Sequence, residues 1–378
     1  MIHVSADHPM NGIPSAGPSS LSFTSLLSTT HRVFTHDEFN RLLPDHCETR
    51  GFAPLVETER IALDFLIRGG KRFRPFVTLA AYQACVEGSH EPRTQGQPCL
   101  LNDAVKRTLI AIEVFHKASL VHDDIEDNDL YRYGRETLHR QYDTATAINV
   151  GDYLVGLGYR IITGDREVLG SDRAADILHR LMDAHVKLTE GQGAEIAWRR
   201  AADKALTPQD AMGIYARKTS PAFEAALYTG VRLAGPGRSV EKLLARYSRH
   251  LGIAFQILND LSDWSGDADN KLIAKQDALS MRPTILLALA LEKSDSSRRQ
   301  RIEEMLAGSD SFSKEGPCLG DIFVGLDVFR DAAQLVIQHR RQAYEVATEV
   351  EHDGVRNLLY HLLEVVLPND HVSYAAAS

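Results

Sequence analysis

Cysteine is scarce and scattered in this chain. Cys47, Cys85, Cys99 and Cys318 stand far apart, with no CxxC pair and no histidine at zinc-site spacing. That pattern excludes a disulfide framework or zinc ribbon and leaves reduced, inert thiols as the expectation. An excess of positive charge is also missing: 42 Lys and Arg stand against 51 Asp and Glu, a net charge of −9. General nucleic-acid binding normally needs a basic face, so it is excluded as a main function. No apolar stretch approaches the roughly 20 residues of a membrane span. Before Arg32 there is neither a Lys or Arg nor an apolar run of signal-peptide length. A cytoplasmic protein without a stable membrane anchor is the expectation. What is present is ordinary globular material, 44% hydrophobic and 25% charged, ample for a large core.

Residues 1–35 are rich in Ser, Thr, Pro and Gly and predict a disordered tail; residues 371–378 predict a flexible end, and 36–370 one domain. Apolar residues recur at helical spacing over Ala104–His122, Ile148–Thr163, Ala174–Glu190, Ala211–Ala234, Val240–Trp264, Thr284–Glu292 and Phe329–Val350. Gly- and Pro-rich or polar breaks separate them at Glu87–Pro98, Gly235–Ser239 and Ser309–Pro317. No strand or hairpin signal stands out. The prediction is an all-α protein, a single bundle of about a dozen helices without internal repeats.

Several of these helices are apolar around most of their circumference, so a polar cluster inside one is expensive unless it serves a purpose. The first such cluster ends the helix through His116, in His116-Lys-Ala-Ser-Leu-Val-His-Asp123-Asp124-Ile-Glu-Asp127. At 100° per residue, His116, Asp123 and Asp127 fall within about 40° on one face. Stacked carboxylates of this kind suit Mg²⁺, which takes one or two of them and fills its other positions with water and phosphate. The alternative is a solvated helix end, where acids would oppose the helix dipole. A second cluster, Phe255-Gln256-Ile-Leu-Asn259-Asp260-Leu-Ser-Asp263-Trp-Ser-Gly-Asp267, repeats the arrangement, with Asn259, Asp263 and Asp267 at i, i+4 and i+8. Two clusters in one helical chain suggest facing walls of a metal pocket.

A phosphate ligand also needs cationic donors. Gly69-Gly70-Lys71-Arg72-Phe73-Arg74-Pro75 gathers three of them between a Gly pair and a Pro, the pattern of a shaped loop entering a helix. Arg132 and Arg135 follow the first acidic cluster; Arg217-Lys218-Thr219 interrupts an apolar helix; Lys271, Lys275 and Arg282 follow the second cluster. Each of these taken singly reads as surface charge rather than as a ligand, with GGKRFRP the exception.

From about Leu55 to Leu291 the chain resembles the trans-isoprenyl diphosphate synthases, the polyprenyl synthetase family. GGKRFRP, HKASLVHDDIED, RYGRETLH, GDYL, Gly191-Gln192, RKTS and FQILNDLSD occur in the family's order and spacing. The resemblance implies an isoprenyl synthase fold, usually dimeric, around a deep central cavity. It implies three Mg²⁺ held by Asp123, Asp124 and Asp127 on one wall and by Asn259, Asp260 and Asp263 on the other. Lys71, Arg74 and His116 would hold isopentenyl diphosphate. Arg132, Lys218, Gln256 and Lys271 would grip an allylic prenyl diphosphate, with Thr219 beside the developing cation and Arg282 binding substrate in place of a family lysine. Ionisation leaves an allylic cation in a dry cavity, and the isopentenyl double bond attacks it, so no protein nucleophile is required. Asp123, Asp127, Lys218 and Asp263 would carry the catalysis.

Three positions depart from the family pattern. Tyr133 stands where a second Arg normally helps bind isopentenyl diphosphate, Asn259 stands for the leading Asp of the second motif, and Ser280-Met281-Arg282-Pro283-Thr284 replaces a Gly-Lys segment. These keep two alternatives open, a class I terpene cyclase and a non-catalytic subunit of a prenyl synthase. If Tyr133 marks a weakened site, Tyr133→Arg is expected to tighten isopentenyl diphosphate binding. Ala118 and Ser119, one turn before Asp123, leave room below the acids and predict products of C20 or longer.

Overall fold

The computed structural model describes residues 23–43, 53–87, 101–235, 240–265, 282–306 and 318–368. The helices are α1 Phe23–Val33, α2 His36–Leu42, α3 Pro54–Ile67, α4 Phe73–Glu87, α5 Asp103–Glu126, α6 Leu138–Gln141, α7 Thr144–Gly164, α8 Arg166–Leu169 and α9 Ser171–Arg200. They continue with α10 Pro208–Lys218, α11 Ser220–Ala234, α12 Glu241–Ser265, α13 Ile285–Lys293, α14 Ser296–Leu306, α15 Leu319–Gly325, α16 Val328–Thr348 and α17 Asp353–Val366. The all-α prediction therefore holds. No helix among the described residues is long and apolar enough to cross a membrane. Burial raises the Cys85 thiol to about 11, which keeps it protonated and unreactive.

Local chemistry starts and stops these helices where the sequence says it should. Asn102 caps α5 by accepting from Val105 N at 2.8 Å, and Asp143 caps α7 through Thr146 N at 2.7 Å. Thr207 and Asp210 form a reciprocal capping box at α10, and Thr284 caps α13 through Leu287 N. Buried stripes then pack α5 on α7, α4 on α11, α12 on α16, and α9 on both α10 and α11. Close crossings fall at glycines. A Cβ on Gly230 in α11 would lie 2.6 Å from Ala81 Cβ and 2.9 Å from Tyr82 N in α4, and closer still to Thr78 O. One on Gly354 in α17 would run into Ala84 O at the other side of α4.

Three differences from the sequence reading have simple causes. Residues 23–33 lie inside the expected tail yet form α1, because Leu26, Thr30 and Val33 recur on one face and are buried; the Ser- and Thr-rich composition masks that stripe. The segment 211–234, read as one helix, breaks at Thr219 (φ −127°, ψ −46°), since Pro221 has no N–H with which to continue the ladder. A small ribbon pairs β1 Tyr131–Arg132 with β2 Arg135–Glu136. Its two-residue turn places Tyr133 at φ 54° and Gly134 at φ 72°, the geometry of a type I′ hairpin.

Candidate active site

Asp123 and Asp127 stand one turn apart at the C-terminus of α5, with Asp127 N donating to Asp123 O at 2.8 Å. Their carboxylates are treated differently by their surroundings. Asp127 is bracketed by two guanidinium groups, Arg199 at 3.1 Å on Oδ1 and Arg282 at 2.9 Å on Oδ2. The Asp123 carboxylate has no hydrogen-bond or ion-pair partner among the described residues. Burial raises its carboxyl to about 7, with Lys218 pulling the other way and Asp127 adding to the rise. An acid that its surroundings tend to protonate, beside a second carboxylate, is a place where a hard cation would be stabilising.

Arg282 continues to Glu195 of α9, at 3.7 Å, and Lys218 donates to the other oxygen of Glu195 at 2.7 Å. Gly191 makes this approach possible. A Cβ there would lie 2.6 Å from Lys218 N and 2.8 Å from Arg217 C, so only a glycine lets the end of α10 rest on α9. The next residue, Gln192, is 7% exposed, and neither its amide nitrogen nor its oxygen has a hydrogen-bond partner among the described residues. Glu195, Gln192 and Arg199 were not singled out as site residues by the sequence reading. The available signal was the i, i+3, i+7 spacing of polar residues behind Gly191 on one face of α9.

The end of α10 also reaches the second acidic helix. Thr219 Oγ1 donates to Gln256 Oε1 at 3.2 Å, joining α10 to α12 one turn before its acids. Asn259 is exposed and Asp263 half-buried on α12. Among the described residues no three carboxylate, His or Cys side chains close into a metal cage by themselves. The oxygen-only set of Asp123, Asp127, Asn259 and Asp263 nevertheless suits Mg²⁺, which completes its coordination with diphosphate oxygens and water. Lys271, Lys275, Asp267 and the residues 280–281 lie outside the described residues.

Two expected metal ligands face elsewhere. Asp124, 2% exposed, is held by Arg132, whose Nε donates to its Oδ1 at 2.9 Å; burial raises its carboxyl to about 6 against the pull of Arg132. Asp260, also 2% exposed, accepts from the Tyr215 hydroxyl and from Ile285 N at 3.2 Å. A step of one residue turns a side chain by about 100°, which sends each of these acids away from its neighbour's face and into the packing. Arg132, expected on the allylic diphosphate, is correspondingly engaged with Asp124 and with Asp129 at 3.3 Å.

A second cationic group lies at the start of α4. Gly69 (φ 44°), Gly70 (φ 98°) and Arg72 (φ 50°) fold the GGKR loop, leaving Lys71 exposed. Arg74 contacts His116 Nε2 at 3.1 Å. Burial, reinforced by the charge of Arg74, holds the His116 imidazole well below its ordinary value, so it is neutral and accepts that hydrogen bond. Three of the sequence-predicted groupings thus come together in space: Asp123, Asp127, Lys218 and Arg282; Arg74 and His116; and Thr219 with Gln256.

Residues 57–316 match the family model described as Polyprenyl synthetase. The chain is 27% identical over 317 residues to the short chain isoprenyl diphosphate synthase of Methanothermobacter thermautotrophicus, covering 82% of this chain and 90% of that protein. It is 28% identical over 313 residues to the geranylgeranyl pyrophosphate synthase of Geoglobus acetivorans, covering 82% and 91%. Among solved structures, the geranylgeranyl pyrophosphate synthase of Corynebacterium glutamicum, described as complexed with isoprenyl diphosphate and magnesium, superposes with a TM-score of 0.72 at 20% identity, over 92% of this chain and 98% of that one.

Proposed function

Since the chain belongs to the polyprenyl synthetase family of trans-prenyltransferases, we propose that it works in the cytoplasm as a Mg²⁺-dependent homodimer condensing isopentenyl diphosphate with an allylic prenyl diphosphate to give products of C20 or longer. The observation that carries this reading is the Asp123–Asp127 face of α5 set against Arg199, Lys218 and Arg282. Bound Mg²⁺, held by Asp123, Asp127, Asn259 and Asp263, would neutralise the departing diphosphate. Arg199, Lys218 and Arg282 now rest on Asp127 and Glu195, and they are long enough to turn to the diphosphate when it arrives. Thr219 and Gln256, hydrogen-bonded to each other, would offer a hydroxyl and an amide oxygen to the ionising carbon. The edge-to-face rings of Phe73, Phe223 and Phe255 form an apolar cluster on the adjoining helices that would help exclude water.

Support for condensation over cyclisation comes from the half-buried Arg74–His116 pair beside Lys71, a second phosphate-sized cationic group that a cyclase would not need. Support for long products comes from α5 itself: Ser119 and Phe115 precede Asp123 at one-turn steps, both half-buried, so the first bulky side chain on that line lies two turns below the acids. Geranylgeranyl and geranylfarnesyl diphosphate synthases among the relatives agree with that length. The dimer is supported by exposed Ile148 on α7 and Met182 and Val186 on α9.

The test is product analysis of the purified protein with Mg²⁺, isopentenyl diphosphate and labelled C5, C10 or C15 allylic diphosphates. The expected outcome is prenyl diphosphates of C20 or longer, formed only with isopentenyl diphosphate. Products ending at C15 would refute the length, and hydrocarbon formed without isopentenyl diphosphate would refute condensation.

A further inference from the structure

Helix geometry leaves the last carbonyls of α3 without partners, and here two cations from outside the helix supply them. Arg72 donates to Leu66 O at 3.0 Å and to Ile67 O at 2.9 Å. Lys117 donates to Arg68 O and lies 3.4 Å from Gly69 O. Four consecutive carbonyls leading into the Gly69–Gly70 loop are thereby held. The two cations are not equally supported. Arg72 pairs with Glu113 at 2.7 Å, whereas Lys117, fully buried, makes no salt bridge among the described residues and instead rests 3.9 Å above the centre of the Tyr133 ring and 5.0 Å from that of Phe65.

Tyr133 closes the same structure from the other side. Its ring lies on Gly69, where a Cβ would be 2.8 Å from Tyr133 Cγ and 2.9 Å from Cδ1, and its hydroxyl lies 3.4 Å from the position of a Cβ on Gly70. The loop is thus enclosed between an ammonium and an aromatic face. That loop carries Lys71 and leads to Arg74, the residues assigned above to isopentenyl diphosphate. Position 133 is the one where the family pattern has an arginine, and in this chain a cation stands across from it at 117.

We propose that Lys117 and Tyr133 form one positioning unit for isopentenyl diphosphate, in which the cation that shapes the Gly69–Lys71 loop is carried by α5 and therefore excluded from the hairpin. Neither residue is assigned a contact with the reacting atoms. The inference rests on the reading of Lys71, Arg74 and His116 as the isopentenyl diphosphate side. It reverses the expectation drawn from sequence for Tyr133→Arg. A guanidinium at 133 would replace the ring beneath Lys117 with a like charge, in a place already holding Arg72, Arg74 and Arg132, and would push the ammonium off the loop carbonyls.

The groups facing Lys117 are Arg68, Arg72 and Arg132, which with burial disfavour its charge, Glu113, which favours it, and the Tyr133 and Phe65 rings. The net result is an ammonium lowered to about 7, with burial the leading cause. Wild-type Lys117 is therefore charged below that pH and increasingly neutral above it, so the clamp loosens as pH rises, whereas an arginine at 117 stays charged.

The experiment is a double-mutant cycle on the full chain with both substrates varied. Lys117→Met and Tyr133→Arg are each expected to raise KM for isopentenyl diphosphate about tenfold, the size of one lost charge-assisted contact, with KM for the allylic diphosphate changing less than about twofold. The double variant should recover to within about threefold of wild type, because the cation is then restored on the opposite side. Lys117→Arg should retain the wild-type KM at pH 6.5 and lose the rise above pH 7. The unit is overturned if Tyr133→Arg lowers KM for isopentenyl diphosphate, if the two single effects simply multiply, or if both substrates are affected alike. Circular dichroism checks folding; should Lys117→Met not fold, Tyr133→Phe, which keeps the ring and must match wild type, is compared with Tyr133→Arg. If the wild-type protein does not elongate, the enzyme reading fails by itself. Calorimetric binding of isopentenyl diphosphate to wild type and Tyr133→Arg then decides the unit, equal affinities counting against it.

Discussion

The Tyr215 hydroxyl on α10 donates to the Asp260 carboxylate on α12 and at the same time accepts from Ile285 N at 2.7 Å, the first residue of α13. Three helices around the second acidic cluster are joined at one oxygen atom. Tyr215→Phe removes it, leaving a buried carboxylate short of a donor. A loss of about 2–3 kcal/mol is expected for a hydrogen bond to a charged group, measured as a shift of the denaturant midpoint. An unchanged midpoint would show that Asp260 is satisfied without it.

Adjacent aspartates on α5 should give opposite phenotypes. Asp123→Ala removes an acid that the fold would rather protonate, so thermal stability is expected to hold or rise while turnover falls by on the order of 10²–10³-fold or more. Asp124→Ala strands Arg132, which among the described residues keeps only Asp129 at 3.3 Å, and about 3 kcal/mol of stability should go with it. Melting curves and initial rates on the two variants separate the roles. Equal losses of activity at unchanged stability would return Asp124 to the metal set.

Metal and diphosphate should stabilise the protein together. Mg²⁺ with inorganic diphosphate at about a hundred times the dissociation constant is expected to add roughly 2.7 kcal/mol, read as a rise in melting temperature that EDTA abolishes and Asp123→Ala lacks. A rise of equal size in that variant would exclude Asp123 as a ligand.

The floor of the chain pocket is expected at Phe115, whose ring packs edge-to-face on Tyr159 at 4.9 Å and directly over Gly158. Phe115→Ala should lengthen the product by at least one C5 unit, visible by chromatography of the dephosphorylated alcohols. An unchanged product distribution would move the floor to another residue.

Gly230 offers a test of packing alone. Gly230→Ala must part α4 from α11, at a cost of about 1–3 kcal/mol, with kinetics at low temperature little changed. A stable variant would mean that the α4–α11 crossing can shift.

Helix periodicity and the two acidic clusters were legible in the sequence because both rest on spacing along one helix. What spacing cannot settle is which of two adjacent acids faces the site, since Asp123 and Asp124 differ only by a turn of about 100°. Their roles are decided by what lies opposite: Arg132 binds Asp124, whereas the Asp123 carboxylate has no bonded partner among the described residues and only feels the charge of Lys218. Glu195 was equally hidden, because a lone acid on a polar helix becomes notable only when Gly191 lets Lys218 approach it. Lys117 carries no spacing signal of its own, standing as a single charge next to His116 in an apolar helix. Its burial comes from the carbonyls of α3, more than forty residues earlier in the chain.

The glycine at 354 and the ring stack between Phe23 and His361, with centroids 3.5 Å apart, join the last helix to the first and to α4. During synthesis α1 and α4 leave the ribosome hundreds of residues before α17 does. Their surfaces that pack on α17 stay uncovered until that helix emerges, which leaves apolar area open to aggregation in the growing chain. Stop codons placed late in the gene, removing only α17, should therefore yield aggregates rather than a slightly shortened enzyme.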